Sequence, residues 1–320
     1  MAILGIADDL FDIRWRHKLF LPAIAAIPML IMYYVDFGVT NIVVPLPLQP
    51  YLGQLVNLSW GYYVYMAAVA IFCPNAINIY AGINGLEVAQ SIAIAVFIIA
   101  NDLLYVSVAG HPATASHLFS LYFLLPFLGV SVALWIHNRY PAKVFVGDTY
   151  CYFAGMTFAV VGILGHFSKT LLLLFIPQIF NFLYSSPQLF HLVPCPRHRL
   201  PRFDVRTGLM EPSRAQFVRP PKWHIGLALK ALEKLGLIQL WTTTDAGGGR
   251  TVLEFSNLTL INLFLVRFGP MREDRLTRRL VWVQVACGVL GLFIRHKAAL
   301  LVFPYDNLKL QDFERLVRGG

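Results

Sequence analysis

Residues 75–87 read Asn-Ala-Ile-Asn-Ile-Tyr-Ala-Gly-Ile-Asn-Gly-Leu-Glu: three amides, a carboxylate and two glycines set between two long apolar runs. The Asn residues offer oxygen ligands and amide donors, and Gly82 and Gly85 let the backbone approach a ligand closely. The segment therefore suits a phosphate-rich, metal-bound molecule better than lipid. Taken alone it also reads as a plain helix-loop-helix turn. What weighs against the plain reading is its company: Asp8-Asp9 with Lys18, Phe145 just ahead of Gly147-Asp148, and Arg197-His198-Arg199. Holding a phosphate-rich molecule demands counter-charge above all. Magnesium fits such a ligand supply, since it prefers oxygen donors, takes one or two carboxylates and fills the rest of its octahedron with phosphates and water.

The order of these motifs, together with Arg14-Trp15-Arg16-His17-Lys18, Phe145-Val146-Gly147-Asp148-Thr149 and Cys195-Pro196-Arg197-His198-Arg199, closely resembles the polyprenyl-phosphate sugar-1-phosphate transferase family. Within it, the match is to the eukaryotic UDP-N-acetylglucosamine:dolichyl-phosphate N-acetylglucosamine-1-phosphotransferases. The resemblance runs from Ala7 to about Cys287. It is most specific over residues 147–201, as in Tyr152-Phe153-Ala154-Gly155-Met156-Thr157-Phe158, and thins over 209–251 and in the last thirty or so residues.

The resemblance implies roles. Asn78 and Asp148 would be the magnesium ligands; by its position alone Asp148 reads as a helix N-cap, and both roles can hold because a helix start also favours phosphate. Lys18, a compact point charge, would meet the diphosphate. Phe145 would stack uracil, with the Gly82 backbone and Asn84 reading its polar edge. Arg197 and Arg199 are planar forks for phosphate and sugar oxygens, and His198 can donate to a hydroxyl or an acetamido carbonyl. In the family this segment covers the N-acetylglucosamine and separates eukaryotic enzymes from bacterial relatives acting on the muramyl pentapeptide. Asp8 and Asp9 alone would read as a solvated helix end, whereas family accounts make an aspartate here the base acting on the lipid phosphate. A phosphate monoester with a second pKa of about 6 is already mostly dianionic at neutral pH, so positioning it, ordering Lys18 and tuning the metal site are the more demanding tasks.

These residues must be held by membrane elements. Hydrophobic residues make up 57% of the 320-residue chain and charged ones 13%, and mean hydropathy is +0.62, far from the soluble norm of about a quarter charged. The net charge of +9 sits at the ends of apolar runs, which argues for anionic lipid and substrate and against nucleic acid. Cys73, Cys151, Cys195 and Cys287 show no disulfide framework, and His191, Cys195 and His198 lack a fourth ligand for zinc. Apolar runs over residues 19–35, 58–73, 88–108, 118–136, 150–165, 171–193 and 280–294 predict an all-α polytopic membrane protein. That makes about seven complete spans plus, over residues 1–7, the end of an eighth whose beginning is absent, so that the chain reads as N-terminally truncated. Pro22, Pro28, Pro126 and Pro177 predict kinks.

Alternation of the runs puts Arg14–Lys18, His137 to Lys143, Arg197–Arg202 and the 75–87 loop on one side, taken as the cytosol by the positive-inside pattern. Residues 1–193 then form the catalytic core, 194–256 a small α/β insertion, 257–294 a re-entrant or interfacial segment (258–268) and the last span, and 295–320 a tail. In the insertion, 202–205 with 209–211 and 237–243 with 250–255 predict two hairpins, the second turning at 245–249. Residues 223–235 predict a helix closed by Gly236. The sequons at Asn57 and Asn257 carry little weight, one abutting a membrane run and the other lying on the cytosolic side.

The expectation is an endoplasmic-reticulum enzyme, sensitive to tunicamycin, that transfers N-acetylglucosamine-1-phosphate from UDP-N-acetylglucosamine to dolichyl phosphate with Mg2+ and releases UMP. Membrane lipid is a further partner, and homodimerisation is left open. The rivals are a bacterial-type transferase, a non-catalytic transporter or scrambler of anionic lipid, and an inactive truncated form.

Overall fold

The computed structural model describes residues 1–11, 13, 15–217, 220–244, 251–303 and 308. The first helix, α1 (Ala2–Phe11), is followed by α2 (Trp15–Asp36). A charge-poor connection then carries a ribbon of β1 (Asn41–Val43), the short α3 (Gln49–Leu52) and β2 (Leu55–Asn57), with β1 antiparallel to β2. Next come α4 (Trp60–Ile79), α5 (Leu86–Val106), α6 (Thr114–Asn138), α7 (Gly147–Leu164), α8 (Ser168–Leu174) and α9 (Ile176–Leu189). The polar insertion holds β3 (Arg202–Asp204), β4 (Leu209–Glu211), β5 (Arg214–Gln216), α10 (Trp223–Lys234), β6 (Leu240–Thr244) and β7 (Thr251–Ser256). The chain then returns through α11 (Leu260–Phe268) and α12 (Glu273–His296).

Among the described residues, α4, α5, α6, α7 and the segment Glu273–Leu301 are long and apolar enough to cross a bilayer, and α8 with α9 makes a sixth candidate. The apolar part of α2, Phe20–Asp36, is shorter. The molecule is thus a helical, polytopic membrane protein. The run expected over residues 171–193 is not one straight helix but bends by 72° between α8 and α9. Pro177 explains the break, because in the first turn of α9 its missing N–H is no loss, whereas in mid-helix it would remove a hydrogen bond and clash.

A break inside an apolar bundle frees carbonyls that water cannot reach. The fold answers with three fully buried glutamines. Gln284 Nε2 donates to the Leu174 carbonyl at 2.9 Å, Gln178 Nε2 donates to Gln284 Oε1 and Gln90 Oε1 at 2.7 Å each, and Gln90 Nε2 donates to the Tyr80 carbonyl at 2.9 Å. This chain of bonds ties α9 and α12 to the start of the 80–85 loop.

Helix α7 is the central post. A methyl on Gly155 would lie 2.3 Å from the Pro74 Cα of α4, and one on Gly5 of α1 would lie 2.4 Å from the Thr149 Cα of α7. Small residues at both crossings let backbones meet, the usual source of helix affinity in lipid. Both acidic residues of α1 are thereby brought to the first turn of α7.

In the insertion, β3 pairs with β4, and β7 lies between β5 and β6 in an antiparallel sheet of order β5-β7-β6. Both expected hairpins are present, and α10 ends as expected before Gly236, at φ +68°. Strand β5 was not foreseen. The expected turn at 245–249, Asp12, Arg14 and the side chains of Trp15, Arg16 and His17 lie outside the described residues. The segment expected to be re-entrant or interfacial is α11, whose first turn is capped by Thr259 Oγ1 accepting from the Asn262 N–H. The sequon residue Asn257 is fully buried, with its amide donating to Ser213 Oγ at 2.9 Å.

Candidate active site

One cleft of about 670 Å3 opens where α1, the ends of α4 and α7 and the 194–201 loop meet. Of the residues singled out from the sequence, Asp8, Asp9, Lys18, Asn78, Gly82, Phe145, Asp148, Arg197, His198 and Arg199 line it. Asn84 is not among its walls. Its backbone N–H donates to Glu273 Oε1 at 2.7 Å and its carbonyl accepts from Thr277 Oγ1 at 3.1 Å, so Asn84 moors the loop to α12.

The floor is a bridge of charges. Lys18 Nζ lies 2.8 Å from Asp8 Oδ2 and 3.2 Å from Asp148 Oδ2, joining α1, α2 and α7. Asp8 is buried and also accepts from Tyr152 Oη at 3.1 Å and from the Ile13 N–H at 3.0 Å. Burial opposes ionisation of Asp8, but hydrogen bonds to Asp148 and Lys18 and the ammonium charge outweigh it and hold the carboxyl below its ordinary value. Burial likewise opposes charge on Lys18, and the Asp8 and Asp148 carboxylates overcome it, raising the ammonium above its ordinary range.

Asp9 does something different. Its Oδ1 accepts from the Asp148 N–H at 2.8 Å, and its Oδ2 accepts from the Thr149 N–H at 3.0 Å and from Thr149 Oγ1 at 2.6 Å. A helix start leaves N–H groups without partners, and here a carboxylate from another helix supplies them. By position alone Asp148 reads as the cap, yet Val146 occupies the N-cap position with no side-chain bond. The cap is Asp9, and Asp148 is left facing the cleft. Gly147 allows this closeness, since at φ +60° a Cβ would fall within 2.7 Å of the Asp9 carboxylate.

Asn75 and Asn78 project from the last turns of α4, three residues apart and so on one face, into the same cleft. Gly82, at φ +121°, donates its N–H to Glu87 Oε1 at 2.7 Å. Leu200 packs so closely over Gly82 that a Cβ there would fall 2.0 Å from its Cδ2, so the 194–201 loop closes on the Asn-rich loop. That loop is held from behind, its Arg199 carbonyl accepting from Asn262 Nδ2 at 2.8 Å and Ser213 Oγ at 3.2 Å. Arg197 and His198 are exposed at the cleft. Arg199 is more enclosed, and burial pulls its guanidinium below the usual range. Its Nη1 is shielded from solvent without a hydrogen-bond partner among the described residues. Phe145 stands at the rim with 87% of its surface exposed, a free aromatic face.

Sequence reasoning gave no individual role to Glu87, Tyr152 or Asn75, although all three stood within quoted motifs. Glu87 carried a signal, being an acidic residue in the first turn of α5, two positions after Gly85. Among the described residues no group of three His, Cys, Asp or Glu side chains forms a metal cage. The oxygen donors at hand, the Asp148 carboxylate and the Asn78 amide, suit a hard divalent cation that completes its shell from phosphate and water.

The profile described as glycosyl transferase family 4 matches residues 1–166, from α1 to the end of α7. The chain belongs to this family. As a family 4 member it is similar, over nearly its whole length, to proteins named UDP-N-acetylglucosamine–dolichyl-phosphate N-acetylglucosaminephosphotransferase. Identity is 59% to that of Saccharomyces cerevisiae, covering 96% of this chain and 68% of the relative. It is 56% to that of Schizosaccharomyces pombe, covering 96% and 70%. For Dictyostelium discoideum the figures are 43%, 92% and 66%. The family 4 profile ends before the 194–201 loop, whereas these alignments cover 92% or more of the chain.

Proposed function

We propose that this chain transfers N-acetylglucosamine-1-phosphate from UDP-N-acetylglucosamine to dolichyl phosphate, giving N-acetylglucosaminyl-diphosphodolichol and UMP. The carrying observation is the bridge of Lys18 between Asp8 and Asp148 in a cleft that Arg197, His198 and Arg199 also line. Cationic groups from separate segments gathered in one cavity suit a reaction that joins two phosphorylated partners, one of them lipid-borne.

In this reading an oxygen of the dolichyl phosphate attacks the sugar-proximal phosphorus in line. A new P–O–P link forms, and the bond to the bridging oxygen of UMP breaks, that oxygen leaving with the UMP. The already ionised nucleophile needs no base. Asp8 orients Lys18, whose ammonium offsets charge on the diphosphate, and Asp9 fixes the backbone from which Asp148 projects. Arg197 and Arg199 take phosphate and sugar oxygens, the unpartnered Arg199 Nη1 being a donor ready for one, while His198 addresses the acetamido group. Phe145 offers its face to uracil and the Gly82 backbone its edge. Magnesium held by Asp148 and Asn78 would neutralise phosphate oxygens and orient the leaving group. The protein works in the endoplasmic reticulum membrane, with the cleft on the cytosolic side.

The test is reconstitution of the chain in vesicles with dolichyl phosphate, UDP-N-acetylglucosamine and magnesium. Equal amounts of UMP and sugar diphospholipid are expected. Movement of anionic lipid between leaflets without UMP release would favour a transporter or scrambler and overturn the proposal.

A further inference from the structure

Helix α10 carries two opposite faces. Ile225, Leu229 and Leu232, spaced i, i+4, i+7, turn inward and pack with Phe217, Ile238 and Phe255 in the core of the insertion. Trp223, Leu227, Lys230 and Lys234, spaced i, i+4, i+7, i+11, form the other stripe, and all four are exposed. Trp223 and Leu227 keep 81% and 62% of their surface free. An aromatic and a leucine stacked one turn apart in the open are an unusual expense for a polar subdomain unless something covers them.

Two observations say what covers them. The first is position. Leu237, three residues beyond α10, accepts a hydrogen bond at its carbonyl from Tyr184 Oη, and Tyr184 belongs to α9, half of a bent membrane-spanning pair. On that same helix Phe180, stacked on Tyr184, and Leu183 are 43% and 62% exposed, which is what a lipid-facing surface looks like. The carboxyl end of α10 is therefore pinned to a candidate membrane-spanning pair. The second is charge. Lys222, Lys230 and Lys234 accompany the apolar pair, while the single acid of the helix, Glu233, turns to accept from the Leu240 N–H. Trp and Leu at one end of a stripe and lysines along the rest fit a lipid interface, with the rings among upper acyl chains and the ammonium groups snorkelling to phosphates.

We propose that α10 is an interfacial helix docked on the anionic leaflet of the bilayer that its own chain spans, with Trp223 and Leu227 inserted and Lys222, Lys230 and Lys234 on the headgroups. The insertion then rests on the membrane at a second point besides α9. This holds whether or not the transferase reading does.

Tryptophan quenching by lipid tests it on the full chain reconstituted in vesicles. The emission of Trp223 is isolated as the difference between wild type and Trp223→Phe, an exposed and conservative change. With phosphatidylcholine brominated near the glycerol end of the acyl chains, that component is expected to be blue-shifted and quenched about twofold or more. Quenching should deepen when roughly 30 mol% phosphatidylserine is added, and Lys222→Gln/Lys230→Gln/Lys234→Gln should abolish that deepening. A component that emits as in water and ignores brominated lipid overturns the docking. One shielded from aqueous acrylamide yet untouched by brominated lipid also overturns it, in favour of a protein neighbour. Quenching indifferent to phosphatidylserine would overturn the assignment of the lysines.

Discussion

Asp9 on α1 reaches across 139 positions of sequence to accept the backbone N–H of Asp148 at 2.8 Å, and its second oxygen holds Thr149. A carboxylate that sequence reading would give to catalysis is thus committed at both oxygens to the start of α7. It acts on the reaction through where it puts Asp148.

Replacing Asp9 by Ala should therefore harm both folding and turnover. Loss of a cap costs about 1 kcal/mol, while a shift of Asp148 by about 1 Å costs roughly a hundredfold in rate. Asp9→Asn keeps one acceptor oxygen and should lie between wild type and Ala in both respects. Thermal unfolding in detergent and UMP release check this; a fully stable Asp9→Ala with normal activity would refute the positioning role.

Asp148→Asn should stop turnover while leaving the melting temperature nearly unchanged, because it removes charge without opening a cavity. Stripping divalent cation with a chelator should silence the wild type, and added magnesium should restore it. Wild-type rates for Asp148→Asn in saturating magnesium would take this residue out of the metal site.

Among the described residues Lys18 is the cation paired with both Asp8 and Asp148, so Lys18→Met should leave two carboxylates facing each other and destabilise the carboxyl-terminal end of α1. The double variant Asp8→Asn/Lys18→Met should regain part of that loss, a coupling of about 1–3 kcal/mol in a double-mutant cycle. The pH dependence has a definite sign. Asp8 titrates below its ordinary 3.8 in the folded protein, so its contribution is present above that pH and lost as pH falls through the lowered value. Lys18 titrates above 10.5, so its contribution is present below that pH and lost as pH rises through the raised value. The stability difference between wild type and Lys18→Met should therefore shrink below the lowered Asp8 value and above the raised Lys18 value, and a difference unchanged across both limits would contradict the bridge.

Gly82→Ala should raise the KM for UDP-N-acetylglucosamine. The added methyl meets Leu200 and the backbone is held at φ +121°, a strain of about 1–3 kcal/mol for a residue with a Cβ. Leu200→Ala in the same chain removes the clash but not the backbone strain, so recovery should be partial. Full recovery, or no effect of the first change, would show that the two loops do not close on each other.

Much of the site was legible in sequence because its signals are local. Polar residues crowded at the ends of apolar runs, Gly147-Asp148 before a helix and the Arg197-His198-Arg199 triplet each announce themselves within a few positions. Short-range periodicity likewise revealed the apolar runs, α10 with Gly236 at its end, and both hairpins. What only the tertiary structure decided are pairings between distant segments. The cap on α7 comes from α1, Asn84 turns to α12 and not to the cleft, β5 joins the edge of β7, and Gln284 answers the carbonyl freed at the α8–α9 break. The physical reason is the same in each case. A backbone group left without a partner by local structure takes whichever donor or acceptor packing brings to it, and that choice belongs to the crossing of helices, which no window of sequence contains.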